Sequence, residues 1–175
     1  LDERLDWHVV DLGQVASQVV TAYPGVDLEV QAEEPTAILD PVRTRQIVRN
    51  LVRNAVRAAG RPDGVRVEVA SDPDGRGVRI VVADDGPGLT PEEREAVFGR
   101  YVTGGGSTGL GLAVVQRLVA AQGGTVDATS EPGEGARFVV SFASAETAWV
   151  DDAAVDPEDE VDEGDEDASP PAPAG

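Results

Sequence analysis

Behind Asp11, Leu12, Val15 and Val19 recur at helical spacing. With Asp11 as a natural N-cap, the pattern predicts a first helix over Val10 to Ala22, after a linker-like start from Leu1 to His8. The period then shortens to two: Val26, Leu28 and Val30 predict a strand, and Ala37 to Leu39 a second short one. Asp40-Pro41 pairs a capping carboxylate with proline at the first helical position, and Gly60 supplies a stop, which predicts a long helix over Pro41 to Ala59. Val65, Val67 and Val69 alternate, Asp72-Pro73-Asp74-Gly75 makes a turn, and Val78 to Ala83 is apolar apart from Arg79, so a hairpin with an interior second strand is expected.

A glycine-bearing loop, Asp84 to Leu89, leads to a short helix expected over Pro91 to Phe98. Gly104 to Gly106 precede an apolar helix from about Leu110 to Ala121, closed by Gly123-Gly124. Two last strands, Thr125 to Ser130 and Arg137 to Phe142, flank the turn Pro132-Gly133-Glu134-Gly135. Hairpins among these neighbours exclude a purely parallel sheet. The expected class is α+β: a two-layer α/β sandwich with a mixed sheet covered on one face by helices.

Composition divides the chain. The formal charge of −19 is concentrated from Glu146 onward, where 12 acidic residues meet no basic one. A domain over residues 9–143 is therefore expected, with residues 1–8 as a linker or the end of a preceding helix and residues 144–175 as a disordered acidic tail. Neither part offers the basic surface that nucleic-acid binding requires. The absence of Cys excludes disulfides and thiolate chemistry. No apolar run approaches membrane-spanning length, so no membrane contact is expected from this segment; a cytoplasmic setting is expected, whether or not a larger protein is membrane-anchored. All basic residues are Arg, a bias that points to a bacterial source.

Three places carry candidate chemistry. Asn50 and Asn54 share one helical face with Arg57. Amide oxygens can ligate a hard cation such as Mg²⁺ without adding negative charge beside phosphates, and Arg57 can meet a phosphate. Asp84 ends an apolar strand, followed by Gly86 and Gly88, which let backbone approach a flat ligand; an ionised carboxylate suits the exocyclic amine of adenine. Ser107-Thr108-Gly109-Leu110-Gly111-Leu112 opens a helix whose unpaired N–H groups can bind phosphate oxygens.

In this order and spacing, the Asn-x-x-x-Asn-Ala helix, the Asp-x-Gly-x-Gly loop, the Phe98 to Tyr101 segment and the Gly-Leu-Gly-Leu helix entry resemble the histidine-kinase branch of the gyrase, heat-shock chaperone, histidine kinase and mismatch-repair ATPase superfamily. The resemblance implies a Bergerat-type ATP-binding fold. It implies Asn54 as the Mg²⁺ ligand with Asn50 assisting, Arg57 on phosphate, and Asp84 on the adenine amine. Gly86 and Gly88 would shape the base pocket, while Thr108, Gly109, Leu110, Gly111 and Leu112 would hold the phosphates at the edge of a lid over about Val102 to Thr108. ATP and Mg are the implied cofactors. Asn50 stands where hydrolysing relatives place a Glu as general base, and an amide cannot take that proton. The implied activity is therefore phosphoryl transfer to a histidine on a dimerisation domain, with a response regulator as indirect partner; a serine kinase of the anti-sigma-factor type and a non-catalytic nucleotide-binding module are the alternatives. His8, the single histidine, is expected to be a surface or packing residue.

Overall fold

The computed structural model describes residues 4–91 and 109–148. A first strand, β1 (His8–Asp11), runs into α1 (Leu12–Val20), where the Asp11 carboxylate accepts from the Gln14 N–H at 3.0 Å. The cap is the expected one, but the helix starts two residues later than its apolar periodicity suggested. His8 to Asp11 instead pair antiparallel with β3 (Thr36–Leu39) in a separate two-stranded sheet.

The main sheet has the order β2-β4-β5-β7-β6, made from β2 (Asp27–Val30), β4 (Val65–Ser71), β5 (Gly77–Asp84), β6 (Thr125–Ser130) and β7 (Ala136–Ala143). Only β2 and β4 are parallel. This is a mixed sheet, as hairpin chemistry required, with β5 at its centre. Two helices, α2 (Pro41–Ala59) and α3 (Gly109–Ala121), join α1 against it.

The pleat explains which face the helices cover. Val67 stands opposite Val82, Val82 opposite Phe138, and Ile80 opposite Val140, so the three central strands present one apolar face. Ile47, Val48, Leu51 and Val52 of α2 and Val115 of α3 pack with these residues in one core and are almost wholly enclosed. Removing such surface from water stabilises the fold by about 1.5–3 kcal/mol per large side chain. The opposite face carries charge: Arg66 pairs with Glu29 at 2.6 Å and approaches Asp27 at 3.5 Å.

α2 ends as its sequence demands. Asp40 caps its start with Pro41 in the first turn, and Gly60 closes it at φ +73°, where the N–H reaches the Val56 carbonyl. The expected helix over Pro91 to Phe98, apart from Pro91, the lid, Thr108 and the tail beyond Ala148 lie outside the described residues.

Candidate functional site

Asp84 is the last residue of β5 and continues the inward row Val78, Ile80 and Val82, so the pleat delivers its carboxylate to the helix-facing side. Asp85, one step on, points the other way and forms an ion pair with Arg61. Asp84 Oδ1 accepts the Gly86 N–H at 2.9 Å. Burial pushes the Asp84 carboxyl above the ordinary range for an aspartate, against the opposing N–H groups of Gly86 and Ala136.

The glycines after Asp84 are required by contact. A side chain on Gly86 would meet the Ala58 carbonyl at the end of α2 at 2.7 Å. Gly88 has φ +73°, and a Cβ there would strike the Glu131 carbonyl. The loop is tied to the β6–β7 hairpin: Ser130 Oγ accepts the Leu89 N–H at 2.7 Å and donates to the Gly135 carbonyl at 2.7 Å, and Gly133 N–H donates to Pro87 O at 2.7 Å.

From α2, Asn54 projects toward α3. Its Nδ2 is enclosed with no hydrogen-bond partner, and a Cβ on Gly111 would lie 2.9 Å from that atom and 3.2 Å from Oδ1. The missing side chain at Gly111 is what lets the amide sit against the first turn of α3. Asn50, buried one turn earlier, accepts from Arg53 Nη2 at 3.3 Å. Arg57 lies exposed in the last turn of α2.

Asn54, Asp84, Gly88 and Leu112 border one cavity of about 70 Å³. The predicted residues of three separate segments thus meet at one place, and Gly111 adjoins it through Asn54. Of Gly109 and Leu110 the helical backbone alone is described, and it begins α3. The residues that sequence reasoning missed are the cavity's apolar walls, Ala58, Leu89, Ala136 and Phe138. A larger groove of about 510 Å³ lies between the first turns of α2 and the end of α3, bordered by Arg43, Gln46 and Leu118. It is lined by no carboxylate, whereas the smaller cavity joins the Asp84 carboxylate to the enclosed Asn54 amide.

Among the described residues no group of three or more His, Cys, Asp or Glu could hold a metal. A divalent ion here would rest on amide oxygen, water and ligand oxygens, the habit of Mg²⁺. An orphaned Asn54 amide, able to present its oxygen after a half-turn, fits that donor set.

A family model described as "Histidine kinase-, DNA gyrase B-, and HSP90-like ATPase" matches residues 39–146, more than half of the chain. The chain belongs to that ATPase family. Within it the similarities are to histidine kinases. The sensor histidine kinase ZraS of Klebsiella oxytoca is 50% identical over 100 residues, covering 57% of this chain and 21% of ZraS. The sensor-like histidine kinase SenX3 of Mycobacterium tuberculosis is 31% identical over 155 residues, covering 82% of this chain and 38% of SenX3. The structure is similar to full-length ShkA in complex with AMPPNP, with TM-score 0.68 and 36% identity over 83% of this chain and 33% of that one. The chain therefore spans about a fifth to two fifths of these relatives. The α+β sandwich expected from the hairpins is the fold of this family's histidine-kinase catalytic domains.

Proposed function

We propose that the chain is the ATP-binding catalytic domain of a bacterial two-component sensor histidine kinase. The observation that carries the reading is the convergence of Asn54, Asp84 and Gly88 on one cavity whose edge is the first turn of α3. The ShkA complex with an ATP analogue supports ATP as the ligand.

In this reading the adenine amine donates to the Asp84 carboxylate, and the apolar walls Ala58, Leu89 and Phe138 exclude water from the base. Amide N–H groups of Gly109 to Gly111 hold phosphate oxygens at the positive end of α3. Arg57 neutralises phosphate charge from α2. Mg²⁺, when bound, offsets charge between the phosphates, and Asn54 with Asn50 would hold it. Transfer forms a bond from an imidazole nitrogen to the γ-phosphorus and breaks that phosphorus's bond to the β–γ bridging oxygen. ADP departs with the bridging oxygen, and the imidazole N–H proton passes to water. The protein contributes position and charge.

We read His8 as a surface residue and not as that acceptor: it pairs with Leu39 beside the start of α2, while the cavity borders the last turns of the helix, roughly 20 Å away at 1.5 Å per residue. The acceptor histidine belongs to a dimerisation domain elsewhere in a longer protein or supplied in trans, and a response regulator takes the phosphoryl group next. No helix among the described residues is long and apolar enough to cross a membrane, which suits a domain working in the cytoplasm.

Labelled ATP mixed with this chain and a cognate dimerisation domain tests the reading. Acid-labile, base-stable label on histidine is expected. Label on serine would favour the serine-kinase alternative, and nucleotide binding without transfer would favour a non-catalytic module.

A further inference from the structure

α2 carries an arginine ladder that lies outside the core. Arg45, Arg49, Arg53 and Arg57 are all exposed at intervals of four. Like charges at that spacing repel, and neither α2 nor its neighbour α1 has an acidic residue to offset them. Each step of four overshoots a full turn by about 40°. The ladder therefore winds across the solvent face, from the α1 side at Arg45 to the cavity side at Arg57. Arg45 donates to the neutral amide oxygen of Gln18 at 3.1 Å and Arg53 to that of Asn50 at 3.3 Å. Among the described residues, ion pairs involve His8, Arg61, Arg66 and Arg79, and none joins Arg45, Arg49 or Arg53 to a carboxylate.

The chain holds a matching polyanion. Residues 151–167 contain 11 carboxylates and no cation. Its root lies at the right end of the ladder: Thr147 and Gly123 border one hollow, and the adjacent Gln122 accepts the Asp40 N–H at 2.7 Å at the start of α2. Arg45 to Arg57 spans about 18 Å of helix. Seventeen residues can reach about 60 Å when extended, so length is no obstacle. Tethering also gives the segment an effective concentration in the millimolar range.

We propose that residues 151–167 dock along the arginine ladder of α2, from Arg45 toward Arg57, held by charge and therefore released by salt.

The test uses the whole chain. Its lack of cysteine makes Ser169→Cys a unique site for a nitroxide label, and amide spectra of ¹⁵N-labelled protein without nucleotide report proximity. Amides from Arg45 to Arg53 are expected to lose intensity at low ionic strength. The intensity returns near 1 M salt, where the screening length falls to about 3 Å. It also returns in Arg45→Gln/Arg49→Gln/Arg53→Gln, which keeps helix propensity and leaves Arg57 in place. Full intensity along α2 at low salt overturns the proposal. So does broadening centred on Val114 to Ala121, or broadening that survives the triple substitution. Mixing unlabelled ¹⁵N chain with nitroxide-bearing ¹⁴N chain addresses a second copy: equal broadening there makes the contact intermolecular and also overturns it.

Discussion

At the N-terminal end of α2, buried polar atoms are partnered several times over. Asp40 Oδ1 accepts the N–H groups of Val42 and Arg43 at 2.9 and 3.0 Å, and Oδ2 accepts that of Asp6 at 3.1 Å. The Asp40 N–H goes to Gln122, whose Nε2 donates to Leu118 O at 3.2 Å, and Thr44 Oγ1 donates to Asp40 O at 2.8 Å. At the other end of the same helix, Asn54 Nδ2 is enclosed without a partner, and the Asp84 carboxyl is held in a site that disfavours its charge. Enclosed polar groups left unpaired cost stability, and folds keep few of them. The first end is a joint that locks α2 to α3 and to the segment before β1. The second is a place where the fold tolerates a cost that a ligand's own polar groups can remove.

Asp84→Asn breaks the second end most sharply. Oδ1 keeps the Gly86 N–H, so the new amide nitrogen faces an incoming amine, donor against donor. Losing a hydrogen bond to a charged group, about 1.5–3 kcal/mol, corresponds to roughly 10- to 100-fold weaker MgATP binding by calorimetry. The unliganded protein should not lose stability in thermal unfolding, because a disfavoured charge has been removed. The pH dependence follows from the raised pKa. Between the unfolded and folded values the folded state binds more protons, so the Asp84 contribution to stability falls as pH rises through that window. If MgATP binding uses the carboxylate as proposed, it should weaken on acidification sooner than an ordinary aspartate would dictate, and the Asn variant should lack this step.

Asp40→Ala breaks the first end. Loss of the cap should cost about 1–2 kcal/mol in denaturant unfolding, with MgATP affinity unchanged. Its pH signature is opposite in sign to that of Asp84. Burial alone would push the Asp40 carboxyl upward, but the N–H groups of Arg43, Asp6 and Val42 outweigh it and hold the pKa low. Its stabilisation is therefore present at neutral pH and lost as acid protonates the folded state. If both variants lowered stability alike and neither touched nucleotide binding, the contrast between the two ends would vanish.

Local chemistry made much of this readable beforehand. Asp40-Pro41 and Gly60 bounded α2 to the residue, and the apolar run from Val78 marked β5 as an interior strand ending at Asp84. β1 was hidden because Val9 is exposed while Val10 is buried, which merges with the helical stripe that follows, and its partner Thr36–Leu39 is distant in sequence. The cavity walls Ala136 and Phe138 come from β7, whose register against β5 is a long-range fact. Gly135 has φ +80° and no room for a Cβ beside the Asp84 carbonyl, yet in sequence it looks like ordinary turn glycine.

The smallest expected effect comes from Gly111→Ala, and it probes why α3 carries glycine inside its first turn. Alanine favours a helix over glycine by about 1 kcal/mol, so propensity alone predicts a more stable protein. The new Cβ, however, would sit 2.9 Å from Asn54 Nδ2 and must displace it by a few tenths of an ångström. Single-variant stability should therefore change by less than about 1 kcal/mol, while MgATP affinity falls a few-fold because Asn54 has moved. The decisive comparison is a double-mutant cycle with Asn54→Ala. With the amide gone, Gly111→Ala should give its full propensity gain and no further loss of nucleotide affinity. Equal gains in both backgrounds would mean that Asn54 is not pressed against α3, and the unsatisfied end of α2 would have to be explained without Gly111.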